Sequence, residues 1–142
     1  MMIKKSGSAV WQGSLKEGKG TVSTESGALD AQPYGFNTRF ADGVGTNPEE
    51  LVGAAHASCF SMALSLGLGE AGITAASIKT TSTIYLDKED GGFAVQKAHL
   101  ETVIDAPDAD EAEVLKFAEA AKKNCPISKL LAVDITMAAS VA

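Results

Sequence analysis

Cysteine is scarce in this chain, with only Cys59 and Cys125 among 142 residues. Two thiols are too few for a disulfide scaffold, and their spacing fits neither a CxxC redox motif nor a zinc site. Histidine is equally sparse. His99 has no second His or Cys three or four residues away and His56 has only Cys59, too few ligands to complete a site, so metal ligation is not expected and both histidines read as surface or satisfied core residues. Arginine occurs once, as Arg39, and the lysines are scattered against a net charge of −6. Phosphate binding needs clustered cations, so nucleic acid is excluded as a partner. Lys4 and Lys5 are followed by no apolar run of the kind that secretion requires, which leads to the expectation of a cytoplasmic protein. The one long apolar run, residues 51–68, carries His56, Ser58, Ser61 and Ser65 and sits at the short end of spanning length. A buried core helix, with no membrane contact, is the expectation there.

What the chain does have is a globular composition, 45% hydrophobic and 21% charged, enough for one core in a single domain over residues 1–142. Uneven alternation with Gly13, Gly18 and Gly20 predicts a strand, a turn and a second strand within residues 8–25. Residues 27–45 show no period and read as a long surface loop. Asn47-Pro48-Glu49-Glu50 then starts a helix: Asn caps free backbone donors, Pro suits the first helical position, and the acids face the positive end of the dipole. Leu51, Ala55, Cys59, Met62 and Leu66 recur on one stripe of it. The other side is small and apolar, so the helix needs cover all round, from its own domain or from a second copy. Gly67, Gly69 and Gly72 are expected to end it. Residues 77–86 and 93–104 alternate around Asp90-Gly91-Gly92 and predict an antiparallel hairpin. After Pro107 the spacing turns helical, with Asp108 or Asp110 as cap, Val114, Leu115, Phe117, Ala118 and Ala121 as buried positions, and Lys122-Lys123 at the end. Pro126 puts Cys125 at or just past that helix end, and residues 133–139 form a last strand. There are no repeats and no regular βαβ alternation, so an α+β fold with a largely antiparallel sheet follows.

A free cysteine on an apolar helix stripe is, taken alone, more often a small hydrophobe than a nucleophile. Burial also raises a thiol's pKa, so a reactive Cys59 needs a positive neighbour. Arg39 is the natural candidate, because guanidinium stays charged at any physiological pH and the residue lies just before the cysteine-bearing helix.

Two segments resemble one family. Gly45-Thr46-Asn47-Pro48-Glu49-Glu50-Leu51 followed by Ala54-Ala55-His56-Ala57-Ser58-Cys59-Phe60-Ser61-Met62-Ala63-Leu64 is similar to the first cysteine segment of the OsmC/Ohr family. Asn124-Cys125-Pro126-Ile127-Ser128 is similar to its second, and the Ala55-His56-Ala57 triplet with the position of Arg39 resembles the OsmC branch. The resemblance implies an antiparallel sheet wrapped around long central helices in an intertwined homodimer with shared active sites. It implies a cofactor-free, metal-free peroxidase that reduces organic hydroperoxides, and hydrogen peroxide more weakly, in oxidative and osmotic stress defence. Carried over by motif, Cys59 is the peroxidatic thiolate, Cys125 the resolving thiol, and Arg39 held by Glu49 the pair that activates Cys59. A Cys59 sulfenic acid would condense with Cys125, and an external dithiol of lipoyl type would reduce the disulfide. Phe60, Met62, Tyr34 and Phe36 would suit alkyl or aryl peroxides, with plain core packing the competing reading for Met62.

Glu49 and Cys59 stand ten residues apart on the expected helix, about 15 Å of rise. One helix cannot bring them together, so Glu49 would serve the cysteine of the other subunit. Two rival readings stay open. One is a redox-regulated binding module whose cysteine pair switches conformation without turnover. The other is a thiol acyltransferase or hydrolase with His56, at i and i+3 from Cys59, as base.

Overall fold

A computed structural model describes all residues, 1–142, as two compact units, Met1–Leu51 and Val52–Ala142. In the first unit β1 (Gly7–Gln12) and β2 (Lys19–Thr24) form the expected antiparallel hairpin, in register from Gly7 opposite Thr24 to Gln12 opposite Lys19. The expected loop at residues 27–45 is instead partly ordered into β3 (Gln32–Tyr34) and the short helix α1 (Phe36–Phe40). β3 pairs antiparallel with β2 and lies at the sheet edge, where Pro33 is tolerated despite its missing N–H. Gly20 makes this pairing possible: a Cβ there would stand 2.5 Å from the Tyr34 ring and 2.7 Å from the Trp11 ring.

Helix α2 (Pro48–Glu70) starts as its sequence dictates, with Asn47 Oδ1 accepting from the Glu50 N–H at 2.8 Å. It passes through Gly67 and Gly69 and stops at Glu70, with Gly72 in the left-handed region at φ +76° just beyond. In the second unit its buried face is Gly53, His56, Phe60, Leu64 and Leu68. That differs from the stripe expected to hold the core: Met62 and Leu66 are 76% and 67% exposed, and Cys59 is half-buried. Periodicity could not choose between two apolar sides. Gly53 and His56 decide it, because each makes a contact only the sheet side supplies. A Cβ on Gly53 would lie 2.7 Å from the Ser82 carbonyl oxygen.

β4 (Ser77–Glu89) and β5 (Gly92–Asp105) form the long antiparallel hairpin, closed by Asp90-Gly91 with Gly91 at φ +92°. β6 (Asp134–Val141) adds to β5 in parallel, giving the order β4-β5-β6. The sheets are therefore antiparallel but for this one pair, whose parallel sense comes from the helical crossover between β5 and β6. That crossover holds α3 (Glu111–Asn124), capped by Asp110 accepting from the Glu113 N–H at 3.1 Å, and a further short helix α4 (Pro126–Leu130). Val114, Ala118 and Ala121 are buried as expected, while Leu115 and Phe117 are only half-buried. Phe117 packs over Gly67, 3.2 Å from where its Cβ would be. The architecture is α+β, with a core built on Phe60, Leu64, Leu68, Leu100, Ile104 and Val114. Hydroxyls also bind α2 to the sheet: Ser61 Oγ donates to Thr80 Oγ1 at 2.8 Å, and Thr80 meets Thr102 at 3.0 Å.

Two glycines of α2 make opposite predictions. Gly53→Ala gains helix propensity but drives a methyl into backbone, and overpacking of about 1–3 kcal/mol outweighs a gain of about 1 kcal/mol. Gly69→Ala meets nothing within 4 Å and keeps only the gain. Urea unfolding is expected to move the midpoint down for the first and up for the second; movement in the same direction would contradict the packing described.

Candidate functional site

The first unit holds Arg39 and Glu49. Arg39 lies on α1, whose start is fixed by Thr38: its Oγ1 accepts from the Gly35 N–H at 2.7 Å and donates to the Gly35 carbonyl at 2.9 Å. Asn47 does two jobs, capping α2 and donating from Nδ2 to the Thr38 carbonyl at 3.0 Å, which ties α1 to the first turn of α2. Arg39 Nε then donates to Glu49 Oε1 at 2.7 Å and Nη2 to Oε2 at 3.1 Å, a bidentate contact that fixes the plane of the guanidinium. Glu49 is largely shielded, at 14% exposure, whereas Arg39 is 39% exposed. The guanidinium sits 5.5 Å from the Phe40 ring centre. Beside it is a cleft of about 270 Å³ lined by Trp11, Tyr34, Phe36 and Phe40 with Arg39. Of these, Tyr34 and Phe36 were singled out from the sequence, as neighbours expected around Cys59 rather than beside Arg39. Trp11 and Phe40 were not, since only strand pairing and the α1 turn bring them to one place.

The second unit holds both cysteines as free thiols. Cys125 ends α3 and begins α4; its Sγ accepts from the Ser128 N–H at 3.3 Å, and Pro126 occupies the first helical position. Cys59 lies beside it on α2. Burial pushes the Cys59 thiol above its ordinary value; the Ile127 backbone N–H pulls the other way, and the neighbouring Cys125 thiol adds to the rise. No cation is among these groups, which all come from residues 52–142. The four residues singled out by sequence thus form two pairs, one in each unit.

His56 is fully buried and hydrogen-bonds through both ring nitrogens: Nδ1 to Ser82 Oγ at 2.7 Å and Nε2 to Ser128 Oγ at 2.8 Å. It is the satisfied core residue, and neither nitrogen is available as a base for Cys59. The acyltransferase or hydrolase reading loses its base on that ground. Burial lowers the His56 pKa from its ordinary value, so the imidazole is neutral. His99 bonds to Thr136 across β5 and β6. From sequence, Ser128 stood only as the last residue of the second cysteine segment, with no role of its own, although a cysteine before Pro126 with a serine three residues on has the spacing of a capped helix start. Phe60 is core, and Met62, far from lining a buried pocket, is exposed.

The profile of the family described as OsmC-like protein matches residues 41–139. "Peroxiredoxin OsmC" of Escherichia coli (strain K12) is 56% identical over 137 residues, 96% of each chain. "Organic hydroperoxide resistance protein OhrB" of Bacillus subtilis (strain 168) is 32% identical over 111 residues, 78% of this chain and 79% of that one. Among solved structures, an organic hydroperoxide resistance protein from Elizabethkingia anophelis superimposes with a TM-score of 0.74 at 25% identity, covering 100% of this chain and 99% of the other.

Proposed function

The chain belongs to the OsmC-like family and is a cysteine-based peroxidase, and we propose that it reduces organic hydroperoxides to alcohols, with Cys59 as peroxidatic and Cys125 as resolving thiol. The observation that carries this reading is the meeting of two free cysteines from distant segments, on α2 and at the start of α4. The Cys59 thiolate attacks one peroxide oxygen, the O–O bond breaks, and the alkoxide leaves as alcohol on taking a proton. The sulfenic acid on Cys59 condenses with Cys125, releasing water and forming a disulfide. A small dithiol, of lipoyl type, then reduces that disulfide and is itself oxidised. No metal or cofactor takes part.

Cys59 lacks a cation within residues 52–142, and Glu49 with its bound Arg39 begins the helix on which Cys59 sits ten residues later. The pair therefore serves Cys59 of the partner subunit in a homodimer. Two α2 helices cross in opposite directions through the exposed face that carries Ala55, Met62 and Leu66. There Arg39 lowers the thiol's pKa and stabilises the leaving alkoxide. The aromatic cleft beside Arg39 receives the alkyl or aryl group. Residues 1–142 act as one peroxidase domain, in the cytoplasm, in defence against oxidative and osmotic stress.

The test is a coupled assay with dihydrolipoamide as reductant. Burying the apolar group is worth about 1.5–3 kcal/mol, so kcat/KM for cumene hydroperoxide is expected to exceed that for hydrogen peroxide by about ten- to a hundredfold. Glutathione is expected to support turnover poorly. Equal rates for both peroxides would remove organic hydroperoxides as the preferred class. Stoichiometric oxidation without turnover under every reductant would favour the redox-switch module.

A further inference from the structure

The buried contacts of Cys125 extend beyond the two cysteines. Its Sγ donates to Ser128 Oγ at 3.0 Å, Ser128 Oγ lies 2.8 Å from His56 Nε2, and His56 Nδ1 lies 2.7 Å from Ser82 Oγ. With the thiol hydrogen directed at Ser128, the Ser128 hydroxyl hydrogen is free to point at Nε2, which leaves Nδ1–H to donate to Ser82. One string of donors thus runs from the resolving thiol on α4 through α2 to β4, with every member except Ser82 buried.

We propose that Ser128 and His56 form a proton relay that discharges the Cys125 thiol as it attacks the oxidised sulfur of Cys59. The inference rests on the resolving role given to Cys125 above. In the step, the Cys125 sulfur supplies the electron pair of the new S–S bond and the S–O bond of the sulfenic acid breaks. Cys125 is oxidised and Cys59 reduced by the same amount. The thiol proton passes to Ser128 Oγ as the Ser128 hydroxyl proton passes to Nε2. The departing hydroxide and the relay proton end as water, so no further oxidant or reductant is needed. The Ser128 N–H, 3.3 Å from Sγ, stays behind to stabilise the thiolate.

Three features make the string more than packing. Cys125 is fully buried, so water cannot take its proton directly. His56 is the only ionisable residue among the buried polar side chains, which are His56, Thr102 and Ser128. Around the relay the titratable groups are Cys125 on it and Cys59 beside it; β4 and α4 face the imidazole with the hydroxyls of Ser82 and Ser128, which do not ionise. Burial keeps the imidazole neutral, so the Nε2 lone pair is present at physiological pH. Ser128 touches the reacting sulfur, while His56 acts through it as a positioning residue and proton acceptor.

The experiment loads the reduced dimer with dithionitrobenzoic acid, an aromatic disulfide whose released thiolate is yellow. The first release reports attack by Cys59, and the second reports attack by Cys125 on the mixed disulfide at Cys59. In Ser128→Ala the ratio of second to first rate is expected to fall about 100-fold, the scale of positioned acid–base catalysis. Ser128→Thr, which keeps the hydroxyl, is expected to restore it. His56→Gln can hydrogen-bond both serines but cannot take a proton, and is expected to behave like Ser128→Ala. The wild-type second rate is expected to hold through neutral pH and to fall only below the ordinary imidazole range, and both variants are expected to lose that acid-side fall. An unchanged ratio in Ser128→Ala, or a wild-type pH profile in His56→Gln, would overturn the relay. Equal slowing of both releases would overturn it too, because that is what a structural role predicts. If cumene hydroperoxide fails to oxidise wild-type Cys59, the peroxidase reading falls instead, with the release rates still deciding for or against the relay.

Discussion

Cys59→Ser is expected to reduce hydroperoxide turnover to the uncatalysed background, while Cys125→Ser completes one turnover per chain and stops with a sulfenic acid on Cys59. A serine hydroxyl ionises far above the thiol range and its oxygen cannot be oxidised to a species that a thiol will reduce. The loss is therefore that of a covalent nucleophile, several orders of magnitude. Cys125→Ser leaves the attacking sulfur in place and removes the partner that Cys59 has in the structure. Peroxide consumption reads the first variant, and a dimedone adduct seen by mass spectrometry reads the second. Turnover by Cys59→Ser would mean that the nucleophile lies elsewhere. Wild-type turnover by Cys125→Ser would mean that external thiol reduces the sulfenic acid directly.

Mixing Glu49→Ala chains with Cys59→Ser chains is expected to regenerate activity that neither has alone. Glu49 holds the Arg39 guanidinium by two hydrogen bonds, at 2.7 and 3.1 Å, and without them the cation is no longer fixed. Loss of one such preorganised charge costs about a hundredfold. In a mixed dimer one site combines the Cys59 of one chain with the Arg39 and Glu49 of the other. Random pairing of two chains then restores about a quarter of wild-type turnover, because half the dimers are mixed and each has one complete site. Subunit exchange is verified by native mass spectrometry. No recovery after exchange would sink the shared site and require Arg39 to reach the cysteine of its own chain.

Local chemistry was legible in the sequence where it acts locally. Asn47-Pro48 starts a helix and Asp90-Gly91 closes a hairpin because the residues that decide each feature are adjacent. β3 and α1 were not legible. Three residues containing Pro33 have no alternation of their own, and they are held by pairing with β2; α1 is held by Asn47 reaching back to the Thr38 carbonyl. The buried face of α2 was misjudged for a related reason: both sides are apolar, and what selects one is the fit of Gly53 and His56 to β4. The partners of His56 lie 26 and 72 positions away, beyond any pattern a helix can display. The two cysteine segments named Cys59 and Cys125 by resemblance, but the serine that touches Cys125 comes from the geometry of α4.

The hydroxyl contacts between α2 and β4 also discriminate against misregistered sheets. An alternating strand tolerates a slip of two residues, since its apolar face stays on the same side. Here such a slip carries a penalty whichever way it goes. Moved one way, β4 offers Ile84 to His56 in place of Ser82; moved the other, it offers Ile78 to Ser61 in place of Thr80. Either error removes the hydroxyl partner of a helix side chain, which costs about 1–3 kcal/mol for the buried His56 and less for Ser61, which is half-buried and keeps the Ala57 carbonyl as acceptor. No buried side-chain nitrogen or oxygen lacks a partner in the native register. A pattern that hydrophobicity alone leaves degenerate is thus resolved to one alignment by a histidine and a serine on the neighbouring helix.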